Sequence, residues 1–286
     1  MSNAVLIADS GSTKTDWVLI DQNYRSEFKT IGYNPYFISA ESIYNSLSKE
    51  LGYYFEPKKI KKIFFYGAGC SNSENIAIVD NAMSKYFSSA ELFIGHDMLA
   101  AARALLKNER GFACILGTGS NSCIYNGKQI EKNIDSLGYL LGDEGSGSNI
   151  GKKIVRDYLR GYLPTELLYK FQEKYNTSSS GIFNTLYNEP LPNRFLAGFC
   201  HFAHENKDHE HIQNIIRESF NDFFKNLVSK YPEHSKYKFN CIGSVGFIFS
   251  GILNEMVSYY NMECGKIIRS PIDDLVEYHS CDLISG

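Results

Sequence analysis

The stretch VLIADSGSTKTDWVLI, residues 5–20, decides the fold. Two apolar runs flank a polar turn, DSGSTKTD, that is too short to hold a helix. The runs therefore pair as an antiparallel hairpin, because a parallel pair needs a long crossover. Within the turn, glycine lets backbone approach a ligand closely, and successive backbone N–H groups form a concavity that attracts anions. Ser10, Gly11, Ser12, Thr13, Lys14 and Thr15 are the residues such a bend would offer to phosphate. Asp9, closing the first run, is placed to hold Mg2+ through its waters, since that ion favours carboxylates and phosphate together. The turn is not a Walker A loop: Thr13 rather than glycine precedes Lys14, and a strand follows instead of a helix. Taken alone, an ordinary polar hairpin accounts for it equally well, Ser/Gly/Thr turns being common.

Working outward, further apolar β-rich runs lie at 63–67, 92–94, 112–116, 122–125, 239–242 and 266–268. Helical periodicity appears at 40–52, 76–87, 98–106, 150–162, 194–205, 211–230, 246–260 and 272–278. The interleaving predicts an α/β protein with mixed sheets. Residues 112–125 repeat the layout of 5–20, strand, Gly/Ser/Thr turn, strand; LGTGSNS stands where ADSGSTKTD stood. This duplication of shape divides the chain into lobes at 1–110 and 111–286, with 163–200 a helical insertion of open purpose. The second bend offers Gly117, Thr118, Gly119 and Ser120, and two such bends suggest a nucleotide clamped between two lobes. A third stretch, CIGSVGFIF at 241–249, follows a strand and opens a helix. Gly243, Ser244 and Gly246 there would let an adenine ring lie on the backbone, although Ser244 capping a helix explains the letters as well.

Composition excludes several classes. A chain of 286 residues favours two domains, and 43% apolar with 21% charged residues suits an ordinary globular core. A net charge of −3 gives no general attraction to nucleic acid or to an anionic membrane. The 20 tyrosines and 19 phenylalanines then read as core packing instead of base stacking. No apolar stretch approaches the ~20 residues of a membrane span. The opening residues lack a signal-peptide pattern, and Met1-Ser2-Asn3-Ala4 reads as a cloning remnant. Seven cysteines without a CxxC pair argue against a disulfide framework, so a cytoplasmic location is expected. HFAHENKDHEH at 201–211 reads as a solvated turn in preference to a metal site, and KKIKK at 58–62 as a solvated edge.

DSGSTKTD, GTGSN and GSVG, in this order, resemble the first phosphate, second phosphate and adenosine motifs of the actin–hexokinase–heat-shock-protein ATPase superfamily. GYLLGDEGSGSNIG at 138–151 is similar to the GDEGS segment of N-acetylglucosamine kinases, within the grouping of BadF/BadG/BcrA/BcrD-type ATPases. The resemblance spans nearly the whole chain in motif order, and GDEGS following GTGSN is its most specific part. It implies two ribonuclease-H-like lobes, with mixed five-stranded sheets around an interlobe cleft that holds ATP, Mg2+ and a sugar. It allows a homodimer through the second lobe and leaves the oligomeric state open.

Asp97, in ELFIGHDMLAAARALL, falls at a strand-to-helix junction, where a helix N-cap is the local alternative. The resemblance makes it the general base that receives a sugar hydroxyl proton during attack on the γ-phosphate; it gives the neighbouring His96 no role. For the sugar, the same resemblance points to Asn34 in GYNP, Asn121, Asp143 and the backbone at Gly145, Ser146 and Gly147, with Ser71 a weaker candidate. It implies an ATP-dependent amino-sugar kinase acting at O6 of N-acetylglucosamine. The alternatives are a dehydratase-activating ATPase with a cysteine-held iron–sulfur cluster, or an ATP and sugar sensor without turnover.

Overall fold

The computed structural model describes residues 4–21 and 24–284, with side chains as far as 280. Met1, Ser2 and Asn3 lie outside these residues, and Ala4 already belongs to the first strand. The chain forms two compact units, 1–108 with 270–286, and 109–269. The expected second lobe, 111–286, therefore loses its C-terminal helix to the first unit.

In the first unit β1 (Ala4–Ser10), β2 (Lys14–Asp21) and β3 (Tyr24–Ile31) run as an antiparallel meander. They are followed by α1 (Ala40–Glu50), β4 (Ile60–Gly67), α2 (Ser73–Tyr86), β5 (Glu91–His96) and α3 (Asp97–Leu106). The five-stranded sheet has the order β3-β2-β1-β4-β5, with β1, β4 and β5 parallel. Trp17, fully buried, packs edge-on against Tyr33 and tilted against Phe65 at the centre of one core.

The second unit begins with β6 (Arg110–Leu116), β7 (Ser120–Asn126) and β8 (Ile130–Asn133). Next come α4 (Gly138–Leu141), α5 (Gly147–Leu159), α6 (Thr165–Tyr175), α7 (Ser179–Asn188), α8 (Pro192–Gly198), α9 (Cys200–Glu205) and α10 (Glu210–Asn226). It closes with β9 (Lys238–Ile242), α11 (Ser244–Ile248), α12 (Ser250–Tyr259) and β10 (Glu263–Ile268). Its sheet order is β10-β9-β6-β7-β8. The duplication of shape thus extends to the whole sheet: β6 to β10 repeat the order and the parallel or antiparallel pairing of β1 to β5. No helix among the described residues is long and apolar enough to cross a membrane.

The C-terminal helix α13 (Ile272–Ile284) docks on α3 and β1. Its anchor is His279, only 2% exposed, which stacks on Phe64 with ring centroids 3.7 Å apart and shares a 2.8 Å hydrogen bond with the Tyr66 hydroxyl. Arg103 of α3 donates to that hydroxyl at 2.7 Å. Removing a buried partner of this kind costs about 1–3 kcal/mol. His279→Ala is therefore expected to lower the unfolding free energy in urea by about 2 kcal/mol; an unchanged midpoint would mean that the stack does not hold α13.

Candidate active site

In the first unit the site gathers at the ends of β1, β4 and β5. The β1–β2 bend closes with Gly11 N–H donating to the Lys14 carbonyl at 2.9 Å. Gly32 supports it from behind: its N–H donates to the Thr13 carbonyl at 3.1 Å, and a Cβ there would stand 2.3 Å from the Gly11 carbonyl oxygen. Only glycine fits. Ser10 and Thr15, expected to face phosphate, do not. Both are fully buried, their hydroxyls bond to each other at 2.7 Å, and Thr15 donates onward to the Ile31 carbonyl. They are cross-strand partners on one face, so they brace the bend and leave Gly11, Ser12, Thr13 and Lys14 to present it. Lys14 pairs with Asp16 at 2.5 Å.

Asn34 lies against the same bend, its amide donating to the Ser12 hydroxyl at 2.8 Å while its oxygen accepts from Tyr36 N–H at 3.1 Å. An amide holds two donors and two acceptor lone pairs, so one of each remains for a sugar hydroxyl. Ser71 is exposed in the loop after β4.

Asp9 and Asp97 are the two carboxylates of this unit's site. Asp97 begins α3 and accepts from Met98 N–H at 2.8 Å, so it does bond the helix start as an N-terminal carboxylate would. Burial nevertheless outweighs that bond and pushes its carboxyl up to about 6. Asp9 is pushed up to about 7, first by burial and then by repulsion from Asp97 and Asp16, with Lys14 opposing. Cys70, fully enclosed nearby, is pushed up to about 12 by burial and by the Asp97 charge. It is an inert thiol.

The second unit brings its three motifs together at the ends of β6 and β9. Gly147 N–H donates to the Gly117 carbonyl at 2.8 Å and Ser148 N–H to the Thr118 carbonyl at 3.0 Å, so the start of α5 carries the second bend. Ser146 caps α5 by accepting from Asn149 N–H. Gly243, at φ +126°, would place a Cβ 2.2 Å from the Leu116 carbonyl oxygen, which fixes the adenosine motif directly against the bend. Ser244 is exposed and makes no cap bond. Gly246 does not face a ligand: it is buried, with Cys241 Sγ 2.6 Å from where a Cβ would sit. Gly145, likewise, turns inward against Phe223 and Leu116.

Asp143 is 7% exposed and sits at φ +53°, a conformation that aspartate tolerates better than most residues. Its Oδ1 accepts from Ser120 N–H at 3.1 Å, and its own N–H donates to the Ser136 carbonyl. Its carboxyl is raised by burial, with the Ser120 and Ser136 bonds opposing. Asn121 spends its oxygen on Ser122 N–H and the Asn133 amide, leaving its own NH2 as the group to offer. Nothing in the sequence singles out Gly32 or Ser136: the strand that Gly32 follows, β3, shows no apolar run.

The second bend fits a polyphosphate on two observations. The Ser120 hydroxyl is buried without a hydrogen-bond partner, and such a group calls for one. Gly117 meets nothing within 4 Å of a would-be Cβ, so backbone is open to approach there. Asp9 fits Mg2+, which takes one or two carboxylates and keeps water or phosphate for the rest. Elsewhere, His209 pairs with Glu166 and His211 with Asp157 at 3.1 Å, tying the start of α10 to α6 and to α5. Among the described residues no group of three or more His, Cys, Asp or Glu is arranged to hold a metal ion.

No protein-family model matches the sequence, and no curated protein does. Solved structures match. A Porphyromonas gingivalis protein provisionally named an N-acetylglucosamine kinase shares 35% identity over 98% of this chain and 99% of its own, with a TM-score of 0.92. A Chromobacterium violaceum protein of the same provisional name superposes with a TM-score of 0.72 at 12% identity, over 96% of this chain and 98% of its own. MreB5 of Spiroplasma citri bound to AMPPNP superposes with a TM-score of 0.59 at 11% identity, over 98% and 95%. The fold is that of the actin-like ATPases, two ribonuclease-H-like lobes with mixed five-stranded sheets. Within it, the chain belongs to the N-acetylglucosamine kinase-like family.

Proposed function

We propose that this chain is a sugar kinase that transfers the γ-phosphoryl group of ATP to O6 of N-acetylglucosamine. As a member of its family it is a phosphotransferase with an alcohol acceptor. The observation that carries the reaction is Asp97, a carboxylate raised to about 6 just past the end of β5 and close enough to Asp9, beside the first phosphate bend, to repel it. Asp97 receives the hydroxyl proton as the sugar oxygen bonds to phosphorus and the bond to the ADP oxygen breaks. Phosphoryl transfer is loose, so orienting the hydroxyl matters as much as removing its proton. Asp9 would hold Mg2+, which would supply charge neutralisation at the phosphates.

Within each unit the supporting groups differ. Gly11, Ser12, Thr13 and Lys14 offer donors from the first; Gly117, Thr118, Gly119 and Ser120 offer them from the second, with Gly243 and Ser244 for adenosine. Asn34, Asn121 and Asp143 are the sugar candidates, and Ser71 a weaker one; Ser146 is fully buried and spent on capping α5. The acetamido form is favoured over the free amine by what surrounds GDEGS. Glu144 already accepts from the Asn226 amide at 2.9 Å and Asp143 from Ser120, while Leu137, Leu140 and Leu141 are exposed beside them. These leucines offer apolar surface to an acyl methyl. A reaction fed by ATP belongs in the cytoplasm.

An ATP-coupled screen of hexoses tests the reading. N-acetylglucosamine is expected to release ADP and sugar phosphate one for one, with glucosamine at least ~10-fold less efficient, the usual size of a single lost apolar contact. ADP release indifferent to every sugar would end the kinase assignment.

A further inference from the structure

We propose that the helical insertion of the second unit carries a separate pocket for a neutral saccharide, built on α8 and able to act on the second phosphate bend. Leu191, Arg194, Phe195 and Gly198 recur at helical spacing along one face of α8. With Tyr175 of α6, Thr185 of α7, and Glu189, Pro190 and Phe199 they line a cavity of ≈ 440 Å³. Small-molecule pockets run from about 300 to 1,000 Å³.

The lining chemistry selects the ligand. Arg194 and Glu189 balance in charge, so neither an anion nor a cation is preferred. Thr185 adds a hydroxyl that both donates and accepts. The Asn184 amide donates to Glu189 Oε1 at 3.3 Å and orients that carboxylate. Part of the lining is aromatic: Tyr175 and Phe195 are half-buried, and the buried Phe199 backs them, meeting Phe195 edge-on at 5.1 Å and Tyr175 at 4.7 Å. Hydroxyls around a ring with one apolar face match this set. Leu191 forms part of the lining at φ +59°, a strained state for a branched side chain of a kind that gathers at functional positions.

The same helix reaches the nucleotide side of its unit by its other face. The Leu196 carbonyl oxygen lies 1.9 Å from where a Cβ on Gly151 would sit, and Ala197 Cβ lies 3.5 Å from one on Gly147. Gly147 and Ser148 hold the bend at Gly117 and Thr118. A saccharide that fixes α8 therefore fixes the start of α5 and the bend it carries.

Methyl NMR of the full chain tests this, with N-acetylglucosamine and, separately, inorganic phosphate as probes. Thr185 and Leu191 methyl signals are expected to shift with N-acetylglucosamine dose and not with phosphate. Arg194→Met and Glu189→Gln should each weaken that response at least ~10-fold, about 1.4 kcal/mol, with other methyl signals in place as the measure of folding. AMPPNP affinity should change with N-acetylglucosamine at least twofold more in the wild type than in Glu189→Gln, whose acceptor side is untouched. Unmoved Thr185 and Leu191 signals would overturn the pocket, and a response to phosphate would overturn the saccharide. Pocket shifts without sugar phosphorylation would instead strike at the kinase reading alone.

Discussion

Asp97→Asn is expected to fold, to bind ATP, and to lose sugar phosphorylation by at least ~100-fold, the scale of acid–base catalysis. The amide keeps the size of the carboxylate and can still accept from Met98 N–H at the start of α3, so local structure has little reason to move. What it loses is the proton acceptor. Burial raises the Asp97 carboxyl to about 6, closer to neutrality than an exposed carboxylate and therefore a better base at working pH. The sign of the pH dependence follows: Asp97 must be ionised, so turnover falls as pH drops through about 6. Mg2+, were it held at Asp9 as proposed, would move that limb lower, because positive charge favours the ionised form. Measuring kcat for the variant beside AMPPNP affinity separates the two functions. Near-normal turnover with intact nucleotide binding would remove Asp97 from the chemistry.

Much of this arrangement is written in residues 5–20 and in their echo at 112–125. Two apolar runs around a short polar bend form a hairpin, and finding the pattern twice gives two units. The edge strands β3 and β8 escape notice for physical reasons. YRSEFKTI is mostly exposed along its length and IEKN has four residues, so neither shows the apolar run of a buried strand. The return of α13 is equally silent: an amphipathic helix declares that one face is buried, and only the His279 contacts with Phe64 and Tyr66 say against what. Within the bend, Ser10 and Thr15 were readable in principle. Hairpin partners share a face, and Ala8 and Trp17, two residues further from the bend on each strand, share it with them. The glycines were legible as special but not as to why. Gly243 keeps backbone clear for the bend, whereas Gly246 merely makes room for Cys241.

Asp143 gives the second large effect, and two substitutions divide its roles. Asp143→Ala removes the acceptor from Ser120 N–H and places alanine at φ +53°. A buried donor left alone costs about 1–3 kcal/mol, and the left-handed backbone adds about 1 kcal/mol. Because the carboxylate braces the second bend and is proposed to take a sugar hydroxyl, the KM values for ATP and for sugar should both rise, roughly tenfold or more on that scale. Asp143→Asn behaves differently. Asparagine tolerates the same backbone and keeps an oxygen for Ser120 N–H, so the ATP KM should return to normal. It presents a neutral amide to the sugar in place of a carboxylate, which weakens a charge-assisted bond, so the sugar KM should stay high. Recovery of both constants in Asp143→Asn would reduce Asp143 to a brace for Gly119 and Ser120. A sugar KM that never moved in Asp143→Ala would place the acceptor elsewhere.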